Sequence, residues 1–115
     1  MKADCLFCKI LEDQIPASKV YENSRVLGFV DIHPQAKKHF LFIHKNHSKD
    51  IVDMMDSSPD DVKDIYQAIS EFSKTQDHFA EGMRVVTNMG PHAGQTVFHT
   101  HFHVLGGEDL GRFGK

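Results

Sequence analysis

The chain has 115 residues, of which 40% are hydrophobic and 25% charged, and this composition is typical of one globular domain, which we expect to span residues 1–115. Its formal net charge of −3 argues against nucleic acid or an anionic membrane as a partner. No apolar run approaches the ~18 residues that span a membrane, and the N-terminal sequence lacks the long apolar core of a signal peptide, so we expect a cytoplasmic protein.

The first part of the chain predicts a short helix followed by three strands. Apolar residues recur at helical spacing in "CLFCKILED", and Pro16 follows closely. The segments "SKVYEN", "RVLGFVDI" and "HFLFIHK" predict strands, and the second is apolar almost throughout, which predicts burial on both faces. Between the second and third strands, the polar segment "HPQAKK" predicts a loop.

The second part of the chain predicts one long helix and two further strands. The helix is expected from Ser58 to about Ala80, with Ser58 as its cap and Pro59 at its first position. Its buried face repeats at three- and four-residue spacing and consists of Val62, Ile65, Tyr66, Ile69 and Phe72. The segments "MRVVTN" and "HTHFHVLGG" predict strands on either side of the loop "MGPHAGQT". This order favours an α+β fold with an antiparallel sheet of about five strands.

The fifth predicted strand carries histidine at three alternate positions. Residues i, i+2 and i+4 of a strand share one face, so His99, His101 and His103 are expected in one row, about 6.5–7 Å apart. Such a row spans roughly 13–14 Å, which is too far for one ion to bind all three rings. Three interpretations stay open: a polar surface strand, a metal site that uses one or two of the rings, and a catalytic nucleophile with helpers.

Cys5 and Cys8 form a C-x2-C pair near the N-terminus. In the cytosol such a pair favours metal binding or redox chemistry over a structural disulfide. Two thiolates and two imidazoles would complete a closed tetrahedral zinc site, which would be structural because it has no open position. The alternative is that both cysteines are small buried residues of a short helix.

The loop before the fifth strand has the composition of an anion-binding loop. Gly90 and Gly94 let backbone N–H groups approach an anion, and Gln95 and Thr96 add side-chain donors. A neutral imidazole beside this loop could attack phosphorus and divide a difficult transfer into two easier steps. A simple turn would explain the same glycines.

Asp31 and the remaining histidines are less specific. Asp31 stands at the end of the second strand, where an acid either accepts hydrogen bonds from ligand hydroxyls or belongs to a turn. Taken one at a time, the other six histidines indicate surface or structural positions; they are His33, His39, His44, His47, His78 and His92.

The stretch "GQTVFHTHFHVLGG" resembles the signature of the histidine-triad nucleotide-binding family, in which three histidines alternate with apolar residues. The blocks "CLFCKILEDQIPASKVYEN", "VLGFVDIHPQAKKHFLFIHKNH" and "RVVTNMG" resemble the family's blocks in the family's order, from about Cys5 to Gly107. Within the family they are most similar to the nucleoside monophosphoramidases, the histidine-triad nucleotide-binding or protein kinase C interacting branch. The resemblance implies one HIT domain with a HIT-like α+β fold, whose sheet continues across a homodimer.

The resemblance also implies the catalytic roles. His101 aligns with the nucleophile that forms a nucleotidyl-histidine intermediate. His103 aligns with a residue that contacts the α-phosphate and helps the leaving group, and Thr96 stands where the family usually has a serine that donates to the same phosphate.

For the rest of the substrate, the resemblance implies backbone amides of Gln95 and Val97 toward the phosphate. It places Asn88 beside the phosphate and ribose, and Asp31 on the ribose hydroxyls. The purine pocket that it implies is apolar and is lined by Leu6, Phe7, Ile10, Phe29 and Ile32.

In family members with the C-x2-C pair, zinc is held by both cysteines, by the histidine of a K-x-H segment and by the first triad histidine. The corresponding residues of this chain are Cys5, Cys8, His47 and His99. The resemblance therefore implies one structural zinc per chain, which agrees with the limited reach of a single ion along the strand.

Two positions depart from the family's pattern. Thr100 stands where the signature has an apolar residue, so its hydroxyl needs a partner if it is buried. His44 replaces the proline usual after "FLFI", and we expect this to alter the end of the strand near His47.

These features predict a purine nucleotide-binding hydrolase, specifically an adenosine 5′-monophosphoramidase that cleaves the P–N bond of AMP or GMP conjugates. Three alternatives stay open: a dinucleoside polyphosphate hydrolase that uses the same histidine, a nucleotide-binding adaptor whose hydrolysis is incidental, and a metal-dependent enzyme with the triad as ligands.

Overall fold

The computed structural model describes Lys2 and residues 4–112 of the chain. Its helices are α1 (Leu6–Leu11), α2 (Ile51–Ser57) and α3 (Pro59–Lys74). Its strands are β1 (Lys19–Glu22), β2 (Val26–Val30), β3 (Lys38–His44), β4 (Met83–Val86) and β5 (His101–Gly106). Short 3₁₀ turns lie at Asp77–Phe79 and Pro91–Ala93.

The five strands form one sheet in the order β1-β2-β3-β5-β4, and every neighbouring pair is antiparallel. This confirms the predicted α+β fold. The last strand of the chain therefore lies inside the sheet, between β3 and β4, and its side chains are held from both sides.

One face of the sheet packs on α3. The helix contributes Ile65, Ile69 and Phe72 of its predicted stripe, and alternate residues of β3 and β5 complete the core with Phe42, Phe102 and Val104. Val62 is only half-buried, and the predicted burial of Tyr66 is wrong: its ring meets the Phe102 ring, with centroids 5.5 Å apart, but the side chain stays 49% exposed. Gly28 of β2 lies over one of these rings, because a Cβ there would come within 2.7 Å of the Phe42 ring. Burial of each large apolar side chain contributes about 1.5–3 kcal/mol to stability.

The opposite face carries α1. A second cluster forms here from α1, β2 and β3 and includes Phe7, Cys8, Ile10, Leu27, Phe29, Leu41 and Ile43. The register pairs Leu41 with His103 and Ile43 with His101, and paired residues of neighbouring strands share a face. Two triad histidines therefore point to the side of the sheet that α1 covers.

The N-terminal half of the helical region differs from the prediction, since α2 has no counterpart among the predicted elements. The Asp50 side chain caps this helix by accepting a hydrogen bond from the Asp53 N–H at 2.9 Å. Met54 alone of the helix is buried, so the apolar stripe is too short to stand out from the sequence.

Helix α3 ends at Lys74, short of the predicted end near Ala80. The Thr75 hydroxyl donates to the Phe72 carbonyl at 2.8 Å and closes the last turn. Phe79 is buried from the 3₁₀ turn that follows, so the apolar pattern continues after the helix has ended.

Strand β5 begins at His101 and not at His99 as predicted. The Thr100 N–H donates to the Ser48 carbonyl at 2.8 Å. His99 thus precedes the ladder, and its ring reaches a different neighbourhood from the other two. Within the part of the chain described, no helix has the length and apolar character needed to cross a bilayer.

Candidate active site and metal-ligand group

One ring nitrogen of His101 makes a hydrogen bond to the backbone, and the other keeps a free lone pair. Its Nδ1 lies 2.7 Å from the His99 carbonyl oxygen, which can only accept, so Nδ1 carries the proton. Its Nε2 therefore has the lone pair, and it makes no hydrogen bond with any other residue between 4 and 112. Burial lowers the pKa of His101, which keeps the ring neutral near pH 7. The ring has the tautomer that a nitrogen nucleophile needs.

The His101 ring is held in place by aromatic packing. The edge of Phe7 meets it with ring centroids 5.0 Å apart and the planes at 87°. Phe7 packs in turn against Phe29 of β2, at 5.6 Å. Helix α1 therefore supports the His101 ring from the side opposite α3.

His103 receives a hydrogen bond from His39, a histidine outside the triad. The Gln35 N–H donates to His39 Nδ1 at 3.0 Å, so His39 carries its proton on Nε2. That nitrogen lies 2.9 Å from His103 Nδ1 and 3.4 Å from Asp31 Oδ2. His103 must therefore accept at Nδ1 and carry its own proton on Nε2.

The consequence is a hydrogen-bond donor on His103 beside a ring nitrogen of His101 that carries a free lone pair. The His103 and His101 rings are neighbours, with centroids 5.2 Å apart. Burial, together with the neighbouring His101 and His39, lowers the pKa of His103 to about 4 against the opposing effect of Asp31. Burial also lowers the pKa of His39, against the opposing effect of Asp31. A neutral His103 with its proton on Nε2 can donate to an anion bound beside His101.

His39 is a hydrogen-bonding neighbour of the triad that the sequence does not reveal when the six other histidines are considered one at a time. The signal was present in the alternation of "HFLFIH". His39 shares a face with Leu41, and Leu41 pairs with His103, so His39 is the diagonal neighbour of His103. Finding it requires the β3–β5 pairing, which the order of the strands along the chain does not specify.

Asp31 has the turn role that was one of its two expected alternatives, and its second oxygen faces the triad side of the sheet. Its Oδ1 accepts from the His33 N–H at 2.7 Å, as in a turn, while Oδ2 faces His39. Of the five residues expected at the purine, Phe7, Ile10 and Phe29 are buried together. Leu6 is 43% exposed and Ile32 is 84% exposed, so these two lie outside that buried group.

The glycine-rich loop is held by Gln95. Its Nε2 donates to the Lys49 and Val97 carbonyls at 2.8 and 3.2 Å, and its Oε1 accepts from the Gly90 N–H at 2.9 Å. Because these bonds use both amide hydrogens, the expectation that the Gln95 side chain donates to a ligand is wrong, and the residue shapes the loop instead. Gly90 and Gly94 both have positive φ, at 82° and 86°, which explains glycine at these positions.

The other loop residues stay accessible. Thr96 is exposed, and Val97 is half-buried against the cluster under α1. Asn88 is also half-buried. The loop is tied to β5 by Thr87, whose hydroxyl donates to the His101 carbonyl at 2.8 Å.

The structure brings the four predicted metal ligands together. Cys5, Cys8, His47 and His99 each offer one ligand atom, and these atoms lie within 4.8 Å of one another. The two Nδ1 atoms are 3.2 Å apart, and the nitrogen–sulfur distances are 3.3 Å for Cys8 and His47 and 3.5 Å from His99 to each cysteine. A tetrahedron around zinc has edges of roughly 3.3 to 3.8 Å, given bonds of about 2.0 Å to nitrogen and 2.3 Å to sulfur. These four spacings fit the edges of a tetrahedral site, and the remaining two are no longer than 4.8 Å.

The hydrogen bonds around this group support the same conclusion. His99 Nε2 donates to the His44 carbonyl at 3.0 Å, which leaves the Nδ1 lone pair directed at the sulfurs. Burial lowers the pKa of His99 to about 4 and raises that of the Cys5 thiol. A cation would hold Cys5 as a thiolate, and it would relieve the contact between the two Nδ1 atoms. Both cysteines are free of disulfide bonds.

Thr100, the residue that departs from the family signature, has a partner for its buried hydroxyl. It is fully buried, and its Oγ1 lies 2.6 Å from Ser48 Oγ and 3.2 Å from the Ser48 carbonyl. The expectation that this hydroxyl needs a partner is confirmed.

Comparison of the sequence and the structure with known proteins assigns the chain to a family. The family model of the HIT domain matches residues 12–110. The chain belongs to the HIT family. It is 40% identical over 103 residues to an uncharacterized HIT-like protein of Borreliella burgdorferi, covering 89% of this chain and 74% of that protein. It is 36% identical over 104 residues to the Protein hit of Bacillus subtilis, covering 89% and 70%.

Solved structures of HIT proteins superpose over nearly the whole chain. A HIT family hydrolase from Clostridium thermocellum matches with a TM-score of 0.93 and 37% identity, covering 98% of both chains. A histidine triad protein from Clostridium difficile matches with a TM-score of 0.93 and 38% identity, covering 99% of both. One of these relatives is named a HIT family hydrolase, and membership of the same family supports a hydrolase activity in general.

Proposed function

We propose that this HIT protein is a purine nucleotide hydrolase that cleaves the P–N bond of nucleoside 5′-phosphoramidates through a nucleotidyl-His101 intermediate. The observation that carries the proposal is the pair of neighbouring imidazole rings, with centroids 5.2 Å apart, whose hydrogen bonds leave complementary functions on their Nε2 atoms. The His101 Nε2 has its lone pair free, and the neighbouring His103 Nε2 has its proton free for donation.

In the first step, His101 Nε2 attacks the α-phosphorus in line with the leaving nitrogen. The P–Nε2 bond forms, the bond from phosphorus to the leaving nitrogen breaks, and its electron pair stays on the departing nitrogen. The amine leaves neutral with a proton from solvent. The His101 ring keeps its proton on Nδ1, and the His99 carbonyl stabilises the resulting positive charge.

In the second step, water attacks the same phosphorus. The P–Nε2 bond breaks, its electron pair returns to His101, and the proton of the water goes to solvent. The products are a nucleoside monophosphate and the free enzyme. Charge on the phosphoryl oxygens is met in both steps by the His103 Nε2–H, by the Thr96 hydroxyl and by the amides of Gln95 and Val97, which is electrostatic stabilisation by fixed donors.

The rest of the nucleotide has a suitable surface on the α1 side of the sheet. We place the purine against Phe7, Ile10 and Phe29, with Leu6 and Ile32 at the exposed rim. Asp31 accepts the ribose hydroxyls with the oxygen lone pairs left by its turn, and Asn88 lies beside the sugar and phosphate.

We propose zinc as the ion of the Cys5, Cys8, His47 and His99 group. All four ligand positions of a tetrahedral ion are then filled by the protein, so the ion would serve structure and would not activate water. The ion would join α1 to the segment after β3, which carries His47, and to the segment before β5, which carries His99. It would thereby hold Phe7 against His101.

We also propose a homodimer, as the resemblance to the family implies. Strand β4 is at the edge of the sheet, and an edge strand offers unpaired backbone groups to a second chain. Light scattering coupled to size exclusion measures the mass in solution, and a monomer at all concentrations would contradict the proposal.

Kinetics on two substrates test the proposed activity. We expect adenosine 5′-phosphoramidate to have a higher kcat/KM than a diadenosine polyphosphate, and His101→Ala to abolish turnover of both while nucleotide affinity changes by less than about tenfold. A preference for the polyphosphate would favour hydrolysis of dinucleoside polyphosphates instead. Turnover that survives in His101→Ala would contradict the proposal.

A further inference from the structure

His44 is a buried polar residue that the proposed reaction does not use. It ends β3 and is 2% exposed. Its Nε2 lies 3.0 Å from Asp64 Oδ2 and 3.3 Å from Asp61 Oδ1, and both carboxylates belong to α3. A buried imidazole is costly unless it is hydrogen-bonded, and here the bonds join the end of β3 to the helix.

The three side chains are of types that bind metals, and their ligand atoms lie close together. Their hydrogen bonds argue against an ion. The Asn46 N–H donates to His44 Nδ1 at 3.0 Å, so His44 Nε2 carries the proton and cannot coordinate. The carboxylates have other donors as well, from Ser58 at 2.9 Å to Asp61 and from Arg25 at 3.2 Å to Asp64. The cluster is an anchor between β3 and α3.

The main chain of the same residue touches the proposed metal ligands. The His44 carbonyl accepts the His99 Nε2–H at 3.0 Å, and this bond directs the His99 Nδ1 toward the cysteines. The second histidine ligand, His47, follows within one short turn, and the Asn46 N–H of that turn is bound to the His44 ring. One buried side chain thus holds the backbone that orients both histidine ligands.

We propose that His44 is a positioning residue for the metal site. Anchored on α3 through Asp64 and Asp61, it fixes the carbonyl that orients His99 and the turn that presents His47. Hydrogen-bond partners behind a metal ligand fix the tautomer and orientation of its ring, and their loss typically lowers metal affinity ten- to a hundredfold. The inference rests on the zinc site proposed above.

The test compares wild type with His44→Leu, His44→Gln and Ile69→Val. Zinc affinity is measured by competition with a chelator, and the visible spectrum of the cobalt-loaded protein reports the tetrahedral geometry. We expect His44→Leu to lose about ten- to a hundredfold in zinc affinity and to change the cobalt spectrum. His44→Gln should lie near wild type, because its amide hydrogens can still reach Asp64. Ile69→Val loosens α3 at a buried core position away from His44, and it should leave both readouts unchanged.

The outcomes separate this inference from the proposed zinc site. Wild type that binds no zinc would overturn both. Wild type that binds zinc, together with a His44→Leu variant that matches Ile69→Val, would overturn the role of His44 alone. Should His44→Leu fail to fold, Asp64→Ala removes the main anchor from the helix side. It is expected to weaken zinc binding in the same direction, and unchanged affinity would again refute the role.

Discussion

At the scale of single residues, the roles of the histidines follow from the partner of one ring nitrogen. His101 donates from Nδ1 to a carbonyl, His39 accepts at Nδ1 from an amide, and His99 donates from Nε2 to a carbonyl. Each contact fixes what the opposite nitrogen can do. The sequence predicts which residues matter in the triad, but the tautomers depend on backbone groups that only the fold brings close.

Removal of the His39 donor should impair catalysis without abolishing it. In His39→Phe the His103 Nδ1 loses its 2.9 Å partner, so the proton of His103 is no longer confined to Nε2. We expect kcat to fall roughly a hundredfold, the scale of a lost proton-positioning group, with a smaller change in KM. His39→Gln, which can donate from its amide, should recover part of the loss. Steady-state kinetics that give equal kcat values for all three proteins would contradict the assignment.

The hydrogen bond between the buried hydroxyls of Ser48 and Thr100 should contribute to the stability of the protein. Thr100→Val restores the apolar character of the family signature but leaves the Ser48 hydroxyl without its 2.6 Å partner. We expect the free energy of unfolding to drop by about 1–3 kcal/mol, the cost of an unpaired buried hydroxyl. The double variant Ser48→Ala, Thr100→Val should be more stable than Thr100→Val alone. Urea denaturation measures both, and a double variant at least as unstable as the sum of the singles would contradict this explanation.

At the scale of elements, the apolar sequence patterns that predict a helix or strand correctly are long and repeat at a single spacing. The buried stripe of α3 and the apolar runs of β2, β3 and β5 belong to this class, and each was found within a few residues of its predicted bounds except the end of α3. Helix α2 is too short and buries only Met54, so its signal was an Asp cap alone. The order of β5 between β3 and β4, which brings His39 to His103, depends on contacts distant in sequence.

Removal of the metal should affect α1 more than α3. Cys5 and Cys8 would supply half of the proposed metal ligands from the start of α1, whereas α3 packs on the other face of the sheet. We expect elemental analysis to find one zinc per chain in wild type and none in Cys5→Ser. Amide exchange in α1 should accelerate by more than about tenfold, which corresponds to about 1.4 kcal/mol of local stability. Residues 65–72 should keep their protection, and an equal loss in both helices would argue against a local role.

At the scale of the whole molecule, the two faces of the sheet differ: one packs on α3 as a core, and the other carries the candidate site. The face against α3 is built almost entirely from apolar side chains, and the face against α1 combines an apolar cluster with the triad and the metal-ligand group. The fold class follows from the order of strands and helix, and the family follows from the blocks of residues. The proposed substrate depends on a few polar contacts around its phosphate, which neither the order of the elements nor the blocks of residues determine.

Burial of neutral histidines makes the stability of the molecule depend on pH. The pKa values of His99 and His103 are lowered to about 4 in the fold, while the unfolded chain binds a proton on each near the ordinary value of 6.5. The unfolded state therefore gains protons as the pH falls below 6.5, and stability decreases from there toward pH 4 by up to about 1.4 kcal/mol per pH unit for each group. Urea denaturation of the metal-free protein between pH 7 and 4 measures the slope, because a bound ion would occupy His99 and change its titration. Stability that is constant or rises in this range would contradict the burial of neutral rings.

The account depends most on His101 as the covalent nucleophile, and the first turnover tests this directly. The protein is mixed with adenosine 5′-phosphoramidate, quenched in base to preserve a P–N linkage, and mapped by peptide mass spectrometry. The account predicts an adenylyl group on His101 that forms with release of the amine and then decays, and no such group in His101→Ala. An adenylyl group on another residue, or stoichiometric release of the amine without any adduct, would contradict it.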